Sequence, residues 1–568
     1  MTTAFADETN RYLFQIAPQP LDSALRAFSE VTGVQLSYPG ELSAGRQGAG
    51  LSGSFTRAQA LDKLLAGTGL GYRYVTEDAV TLTRPDPLAE LVARAGIRPD
   101  YAQATEPEPE KPKVPVKESD EGPTTLPEMT VTASPLDATS YNVPNATTAT
   151  KTDTPIFDTP VSVQVVPQQV LRDQQAIRLR DALKNVSGVT DDNLLGGYRE
   201  FFNIRGFSTD RRQYRDGFLN EETTFSLANA ERIEVLKGPA SVLYGRLEPG
   251  GLINIVTKRP LQEPYYSLQQ QFGSFDTYRT TADATGPITA DGSLTYRFNL
   301  EYLDQDNFRD FLSTDRIFLA PSLTWRPSER TQIDLDFMYQ DEDAFIDNGI
   351  PAIGNRPAPI PITRNLGEPD DGTTAHNEFY WTALSLSHAI TDQWNLRARF
   401  HSQTGDGFYS NGTVITELDE ATGDAKRSVG LTDEKTDTYF GTVDITGKFS
   451  TLGLDHTLLL GADYYYGDYR SVGRFFPPVP ANDINIFNPV YGRASIGGVQ
   501  SLRNVPPNSS FKLEDEWYGI YLQDQVAIGE RWHLLAGFRY DWAEALEVCC
   551  PPPPANPDEG IKTEDSEF

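Results

Sequence analysis

Residues able to carry out chemistry are few in this chain and are not spaced for it. The two cysteines, Cys549 and Cys550, are neighbours and do not form the spaced pairs of a zinc site. The five histidines are scattered and form no His-Glu-x-x-His pattern: they are His376, His388, His401, His456 and His533. We therefore predict no catalytic residue and no metal site on protein side chains. The state of the two cysteines stays open.

A glycine-rich loop in residues 231–260, ERIEVLKGPASVLYGRLEPGGLINIVTKRP, could in principle cradle a phosphate. Its spacing argues otherwise, because Gly238 and Gly245 are seven residues apart and Arg246 follows where a P-loop needs Lys and then Ser or Thr. We reject a nucleotide site. The glycines instead predict tight turns between two strands, IEVL and INIVTK.

The charge balance excludes one class of partner. The chain has 568 residues, with 80 Asp and Glu against 49 Lys and Arg, and a net charge of -31. Nucleic acid is a polyanion, so such a chain is not expected to bind it. Solvated loops account for the acidic excess.

From residue 265 to 568 the hydrophobic period is two. In LTYRFNLEYL the apolar residues from Leu294 to Tyr302 share one face, and Arg297 and Glu301 lie on the other. Tight turns near residues 391–393 and 529–531 alternate with long loops near 341–376 and 467–512. This pattern is typical of an outer-membrane β-barrel surrounded by lipid. A soluble β-sandwich or propeller is the alternative, but no propeller repeat is visible.

The part before the barrel divides into four segments. Residues 12–83 predict a small α/β domain with the order strand–helix–strand twice, including a capping box at Thr56. Residues 100–125 are a linker rich in proline and charge. Residues 126–134, LPEMTVTAS, are either a strand that pairs with a sheet edge elsewhere or a piece of linker. Residues 145–260 predict a compact mixed domain with one helix over 171–185.

The stretch 231–260 closely resembles the signature of the plug domain in TonB-dependent siderophore receptors, the domain that fills the barrel. FNIRGF and Asp216-Gly217 fall where that pattern expects them. LPEMTVTA is similar to a TonB box, and residues 12–83 resemble the periplasmic signalling domain of receptors that also control transcription. The resemblance is strongest to the ferrichrome, ferrioxamine and pyoverdine group.

The resemblance implies three sets of functional residues. The TonB-binding set is Glu128, Met129, Thr130, Val131, Thr132 and Ala133. The plug motif and latch set is Arg205, Gly206, Arg232, Glu234, Lys237, Gly238, Pro239, Tyr244, Gly245, Gly250 and Gly251. The ligand-binding aromatic set is Tyr198, Phe201, Phe202 and Tyr214. Plug arginines pair with barrel carboxylates in the family, so we expect Arg205 and Arg232 to face acidic positions such as Glu301 or Asp334.

The resemblance also implies the function. We expect a receptor in the bacterial outer membrane, with its N-terminal domain in the periplasm, that imports a ferric siderophore without enzymatic activity. Its partners would be TonB with the inner-membrane energising complex, an inner-membrane anti-sigma regulator and outer-membrane lipid. No cofactor is expected, because iron arrives already chelated. The alternatives are an importer of haem, cobalamin or a glycan, and a truncated product that does not transport.

The strand count departs from this family. Plugged transporters of this class have about 22 strands, whereas we count about ten to twelve from residue 265 onward. The last segment, VCCPPPPANPDEGIKTEDSEF, reads as a proline-rich acidic loop and not as a strand. We therefore expect either a fragment of a longer receptor or a truncated gene product. Ala-Phe-Ala near the N-terminus is a weak hint of a signal peptide lost upstream.

Overall fold

The computed structural model describes residues 11–37, 46–68, 70–76, 79–83, 140–192, 198–209, 213–220, 224–367, 374–476, 483–491, 502–529, 531–549 and 561–567. The chain divides into two compact units, Met1–Asp120 and Glu121–Phe568. Within the described ranges, no helix is long and apolar enough to cross a membrane.

The first unit is the predicted small α/β domain. Its elements are β1 (Tyr12–Ile16), β2 (Gln19–Pro20), α1 (Leu21–Thr32), β3 (Gln35–Ser37), β4 (Gln47–Gly48), β5 (Leu51–Phe55), α2 (Arg57–Leu65), β6 (Gly71–Thr76) and β7 (Ala79–Thr83). The apolar faces of the two helices pack on one core that includes Phe14, Phe28 and Leu61. The predicted capping box is present, since Thr56 and Gln59 each accept a hydrogen bond from the backbone N–H of the other.

The second unit begins with the plug. Its elements are β8 (Asn145–Ala146), β9 (Thr154–Pro155), a 3₁₀ turn (Ile156–Asp158), β10 (Ser162–Pro167), α3 (Gln168–Asp173), α4 (Leu179–Leu183), β11 (Val189–Asp191), β12 (Phe202–Ile204), β13 (Phe207–Ser208), β14 (Gln213–Arg215), β15 (Phe218–Asn220), β16 (Ala230–Lys237), α5 (Ser241–Tyr244) and β17 (Gly251–Thr257). Its five-stranded sheet has the order β10-β16-β17-β14-β15. Ile233, Val235, Ile253 and Ile255 are fully buried in this sheet.

The single helix predicted over residues 171–185 is wrong. The chain forms two short helices, α3 and α4, because Gln175 between them takes a left-handed conformation with φ +52°. An α-helix cannot continue through such a residue. Leu179, Ala182 and Leu183 of α4 are nevertheless buried, so this short helix contributes to the plug core.

The rest of the second unit is one long antiparallel sheet, the barrel sheet. Each of its main strands is hydrogen-bonded to the next in this order: β18 (Tyr265–Gly273), β19 (Thr277–Pro287), β20 (Leu294–Asp306), β21 (Ser313–Ser328), β22 (Thr331–Phe345), β25 (Thr374–Ala389), β26 (Trp394–Leu418), β27 (Asp424–Thr451), β28 (Leu454–Phe476), β30 (Ser509–Ile528), β31 (Trp532–Cys549) and β32 (Ile561–Glu567). Three short strands lie in the long loops: β23 (Ala352–Ile353), β24 (Arg356–Pro357) and β29 (Ile484–Asn485).

The two faces of the barrel strands differ as predicted. On β20, Thr295, Arg297, Asn299 and Glu301 are buried against the plug side, whereas the outward Tyr302 is 44% exposed. The same alternation recurs in the outward apolar side chains of other strands, which are exposed: Leu335, Phe337, Phe400, Leu460, Tyr518, Leu534, Phe538 and Trp542. A polar inner face and an apolar outer face suit lipid on the outside.

Two predictions about loops need correction. Both long loops are shorter than predicted, because β22 and β25 run from 331–345 and 374–389, and β28 and β30 run from 454–476 and 509–528. The final segment is not wholly a loop either. Residues Ile561–Glu567 form β32, which pairs with β31 in antiparallel register. Its sequence, IKTEDSE, is rich in Asp, Glu and Lys, which are depleted in strands, so its residues did not predict a strand.

At the end of β31, Cys549 is disulfide-bonded. The only other cysteine in the sequence is Cys550, which lies outside the described residues.

Candidate functional site

The segment 147–154, which we call the strap, follows the predicted TonB box in the sequence and contacts the plug. The fully buried carboxylate of Glu234 anchors it, accepting hydrogen bonds from the backbone N–H groups of Thr147 and Thr148 at 3.0 and 2.8 Å. The Thr148 hydroxyl donates to the same oxygen at 2.5 Å. The other carboxylate oxygen accepts from Arg232 Nε at 2.7 Å. Charge-assisted bonds of this kind are the strong ones in proteins.

Two further plug residues donate hydrogen bonds to the strap at Thr148. The hydroxyl of Tyr244 donates to the Thr148 carbonyl at 2.9 Å, and Asn254 Nδ2 donates to the Thr148 hydroxyl at 2.8 Å. Burial raises the pKa of Tyr244, so this hydroxyl keeps its proton and stays a donor. The strap is thus attached to two adjacent interior strands of the plug sheet, β16 and β17.

The other side of the strap contacts the barrel wall through Lys151. Its ammonium group is buried, lies 3.9 Å from the ring centre of Tyr521 and 3.9 Å from Asp463 Oδ2. Burial lowers the pKa of Lys151 to about 8, although Asp444 and Asp463 oppose the shift. The barrel also holds the strap backbone, since Arg397 donates to the Lys151 carbonyl at 2.9 Å.

The glycines of the motif permit close backbone approach, as the sequence predicts. The Gly238 N–H donates to the Gly250 carbonyl at 2.8 Å, which closes the loop between β16 and β17. A Cβ on Gly251 would lie 1.9 Å from the Leu236 carbonyl oxygen, and one on Gly250 would lie 2.3 Å from the Ile204 carbonyl oxygen. Gly251 also has φ +126°, where side chains are strained.

The remaining residues of the motif lie around that loop. Tyr244 is buried at the end of α5 and packs edge-on against Tyr214 at 5.1 Å. Gly245, with φ +74°, follows it, and a Cβ there would lie 2.9 Å from an Arg539 nitrogen of the barrel. Pro239 precedes α5. Lys237 Nζ donates to Gln164 and Ser187 within the plug, at 2.8 and 3.0 Å.

The two arginines expected to bind barrel carboxylates have other surroundings. Arg232 pairs with Glu234 at 2.7 Å and with Glu231 at 3.3 Å, and both carboxylates lie on its own strand. The prediction that Arg232 pairs with a barrel carboxylate is therefore wrong. Arg205 has φ +53° and begins the turn with Gly206, where its N–H donates to the Gly188 carbonyl at 2.8 Å. Within the described part of the chain, no carboxylate forms an ion pair with Arg205.

Other plug cations pair with the barrel instead. Lys258 lies 3.1 Å from Asp283 and Arg259 lies 2.7 Å from Asp336. Although burial opposes its charge, Asp336 and Asp216 raise the pKa of Arg259. These two cations are the basic end of the TKRP stretch, so a signal was present in an otherwise acidic chain.

Two more plug–barrel ion pairs had no clear signal in the sequence. Arg178 at the start of α4 pairs with Glu342 of β22. Arg199 pairs with Glu434 of β27, and both groups are buried. Breaking one partner of such a pair leaves an uncompensated charge, although the intact pair adds little net stability. The arrangement can therefore act as a latch.

Of the two acidic positions named from the sequence, Glu301 contacts the plug. It is fully buried, accepts from Ser226 Oγ at 3.1 Å, and pairs with Arg279 and Arg316 of its own wall. Asp334 accepts instead from Thr324 Oγ1 at 2.6 Å, on the neighbouring strand.

The four aromatic residues predicted to bind ligand are buried. Phe202 and Tyr214 lie in the plug core. Phe201 is 5% exposed. Tyr198 sits at the barrel wall, where its ring lies 6.1 Å from that of Tyr409. None of the four presents a ring to solvent in this structure, and their role in ligand binding stays a prediction. The predicted TonB box, residues 128–133, lies outside the described residues.

Comparison with known protein families matches three parts of the chain. Residues 155–252 match the TonB-dependent receptor plug domain, and residues 324–547 match the TonB-dependent receptor-like β-barrel. Residues 34–85 match the secretin and TonB N-terminus short domain.

Named relatives are receptors and transporters, in agreement with the expectation that the chain is not an enzyme. The metal-pseudopaline receptor of Pseudomonas aeruginosa (strain UCBPP-PA14) is 35% identical over 435 residues, which are 74% of this chain and 59% of that protein. The ferrichrome outer membrane transporter/phage receptor of Escherichia coli K12 is 28% identical over 73% of this chain and 60% of its own length. The chain therefore spans about three fifths of the length of these relatives.

A solved structure has the same fold. The ferripyoverdine receptor of the Pseudomonas aeruginosa outer membrane, bound to ferripyoverdine, superposes with a TM-score of 0.62 at 20% identity. The superposition covers 98% of this chain and 67% of that one, so it includes both compact units.

Proposed function

Because this chain belongs to the TonB-dependent receptors of the bacterial outer membrane, we propose that it imports a metal chelate of the siderophore class and signals when that chelate is bound. The barrel lies in the outer membrane and the N-terminal domain in the periplasm. The observation that carries the proposal is the strap: the plug and the barrel both hold the segment that follows the predicted TonB box.

The transport step needs no covalent chemistry. The chelate binds on the side of the long loops, and TonB adds a strand to residues 128–133 by β-augmentation. Force applied there passes through residues 140–146, where Tyr141 contacts Asp173 of the plug, to the strap, which is hydrogen-bonded to the plug sheet. Release of Thr148 from Glu234 then detaches the strap from the plug sheet, and the ion pairs with the barrel determine how far the plug moves.

The iron, or another metal, enters as part of the cargo. Within the described residues, no group of three or more His, Cys, Asp or Glu side chains is arranged to hold a metal ion. We propose that the chelator supplies the metal ligands and that the receptor recognises the chelator. A ferric siderophore is the first candidate cargo. A metal–pseudopaline chelate is the second, because the relative of that name is 35% identical.

Uptake of radiolabelled chelates by whole cells tests the import proposal. We expect accumulation of at least one ferric siderophore or of metal–pseudopaline in cells carrying the receptor, and loss of accumulation when TonB is deleted or Val131→Pro prevents strand pairing. Val116→Pro in the linker is the matched control and keeps uptake. Uptake of haem, cobalamin or a glycan but not of any siderophore or metallophore contradicts the cargo class.

The N-terminal domain is proposed to signal to an inner-membrane anti-sigma regulator. Its independent core makes it separable from transport. Deletion of residues 12–83 should abolish chelate-induced transcription of a reporter and leave uptake within about twofold of the parent. Intact induction after this deletion would refute the signalling proposal without affecting the import proposal.

A further inference from the structure

One patch of the inner barrel wall leaves its hydrogen-bonding groups unused. Trp381 of β25, Gln403 of β26 and Thr438 of β27 lie side by side in register, and His401 lies in the next row toward the short turns. All four side chains are at most 1% exposed. Trp381 Nε1, both amide atoms of Gln403 and Thr438 Oγ1 have no hydrogen-bond partner among the described residues, whereas the His401 ring has one contact with the backbone of Thr382. We call these four residues the seam wall.

The plug meets the seam wall through a hairpin, β14–β15. The Phe218 ring lies 5.3 Å from the His401 ring, 6.3 Å from Trp381 and 5.9 Å from Phe440, measured between centroids. Just beside this contact, Arg399 donates to the Asp216 carbonyl at 2.9 Å. The hairpin therefore rests on the wall mainly by aromatic contacts, which do not satisfy the polar atoms behind them.

The wall formed by β19, β20 and β22 is attached to the plug in a different way. Asp283, Asp336 and Glu342 form ion pairs with the plug there. Gln340 of β22 accepts from the Ser226 N–H at 3.0 Å and donates to the Thr224 carbonyl at 2.9 Å. Parting the plug from this wall breaks charged and hydrogen-bonded contacts together.

This difference in contacts determines where the plug separates from the barrel wall most readily. Buried polar groups without partners are unfavourable, and water satisfies them as soon as a gap opens. Separation at the seam wall therefore exposes unpaired polar groups to water, whereas separation from β19, β20 and β22 mainly breaks ion pairs and hydrogen bonds, although Asn299 of β20 also has an unpaired amide nitrogen. Pulling a buried ion pair apart leaves each charge uncompensated. Buried ion pairs therefore resist separation of the plug from the wall more strongly than aromatic contacts do.

We propose that the passage for the chelate opens between the hairpin, residues 213–220, and the seam wall, and that the four seam-wall side chains bind the chelate in transit. This inference rests on the proposed import function. A chelate rich in amide, hydroxyl or carboxylate oxygens accepts from Trp381 Nε1 and exchanges hydrogen bonds with Gln403, Thr438 and His401. These contacts replace the water that enters when the hairpin moves away.

Cysteine accessibility during transport tests the location of the passage. In the receptor with Cys549→Ser and Cys550→Ser, Thr438→Cys reports on the seam wall and Thr324→Cys, an equally buried threonine position, reports on the wall at β21. We expect a membrane-impermeant thiol reagent to label position 438 about 10-fold faster when chelate and TonB are both present. Labelling at position 324 stays within about twofold.

Three outcomes are distinguishable in the same cells. Faster labelling at 438 alone supports the seam. Measured uptake with equal labelling at both positions, or with faster labelling at 324, overturns the seam and leaves the import proposal standing. Absence of uptake for every chelate refutes the proposed function, and the seam falls with it.

A rate measurement tests the contacts with the chelate. The double variant His401→Phe and Gln403→Leu keeps apolar bulk at the wall and removes its polar groups. We expect chelate binding to de-energised cells to stay unchanged, while the uptake rate falls about 3- to 10-fold. Thr324→Val, on β21, is the control and leaves both unchanged. An unaltered uptake rate in the double variant refutes transit binding at the seam wall.

Discussion

At the scale of single residues, Glu234 makes more contacts with the strap than the other charged residues of its strand, Glu231, Arg232 and Lys237. The second glutamate of ERIEVLKGP is fully buried and receives three donors from the strap as well as Arg232. Replacement by glutamine removes the charge and leaves one oxygen for these donors. We expect Glu234→Gln to lower the free energy of plug unfolding by about 2 kcal/mol.

Glu231→Gln is the matched control on the same strand. Glu231 pairs only with Arg232 among the ion pairs described, at 3.3 Å, and its side chain is partly exposed. Its loss should cost below about 1 kcal/mol, because partly exposed pairs are screened by solvent. Denaturant unfolding of the two variants compares them, and an equal loss contradicts the anchoring role of Glu234.

The motif glycines provide a second prediction at this scale. Gly251→Ala places a methyl group where the Leu236 carbonyl oxygen already lies, at 1.9 Å. We expect a loss of about 3 kcal/mol or more in plug stability, because backbone on both sides must move. A Cβ on Gly206 would have no neighbour within 4 Å, so Gly206→Ala is strained only by the φ of +87°. We expect it to lower plug stability by about 1 kcal/mol. Thermal melts that rank the two variants in the opposite order contradict this.

At the scale of elements, we expect the docking of the strap to depend on pH. Burial lowers the pKa of Lys151 to about 8, whereas a released, solvated lysine titrates near 10.4. The docked strap therefore binds fewer protons than the released one between about pH 8 and 10.5. Docking must strengthen as the pH rises through this window and stay constant below it.

A nitroxide on Asn142→Cys, in the background without Cys549 and Cys550, measures this docking. We expect its mobile fraction to fall as the pH rises from about 8 to 10. Lys151→Met removes the buried charge and should abolish the pH dependence, with the strap docked at all pH values. A mobile fraction that rises with pH in the parent contradicts the assignment of Lys151.

At the scale of the whole molecule, the membrane determines which face of each barrel strand points outward. Leu460 and Val472 lie on the same outward face of β28, on either side of Tyr464 and Tyr466. Leu460→Arg should destabilise the folded barrel by about 2–4 kcal/mol, because it buries a charge in hydrocarbon. Val472→Arg, beyond the aromatic residues, should cost about 0–1 kcal/mol. Equal effects in lipid-vesicle unfolding experiments would contradict this placement of the membrane.

Much of this arrangement could be predicted from consecutive residues alone. The period of two identified the barrel strands, and the inner and outer faces of β20 are as predicted. Gly238 and Gly251, with φ of +113° and +126°, lie where turn signals placed them. The capping box at Thr56 is also present. These features depend on local sterics and on side-chain alternation, which neighbouring residues specify.

Only the tertiary structure decided which charges and polar groups meet. Arg232 pairs along its own strand, whereas Arg178 and Arg259 reach carboxylates 164 and 77 residues away. The four aromatic residues predicted to bind ligand are buried, two of them in the plug core, and the unpaired polar groups of the seam wall come together from three strands. The physical reason is that such contacts depend on strand register and on how deep the plug sits in the barrel. Neither quantity is written in any local stretch of residues.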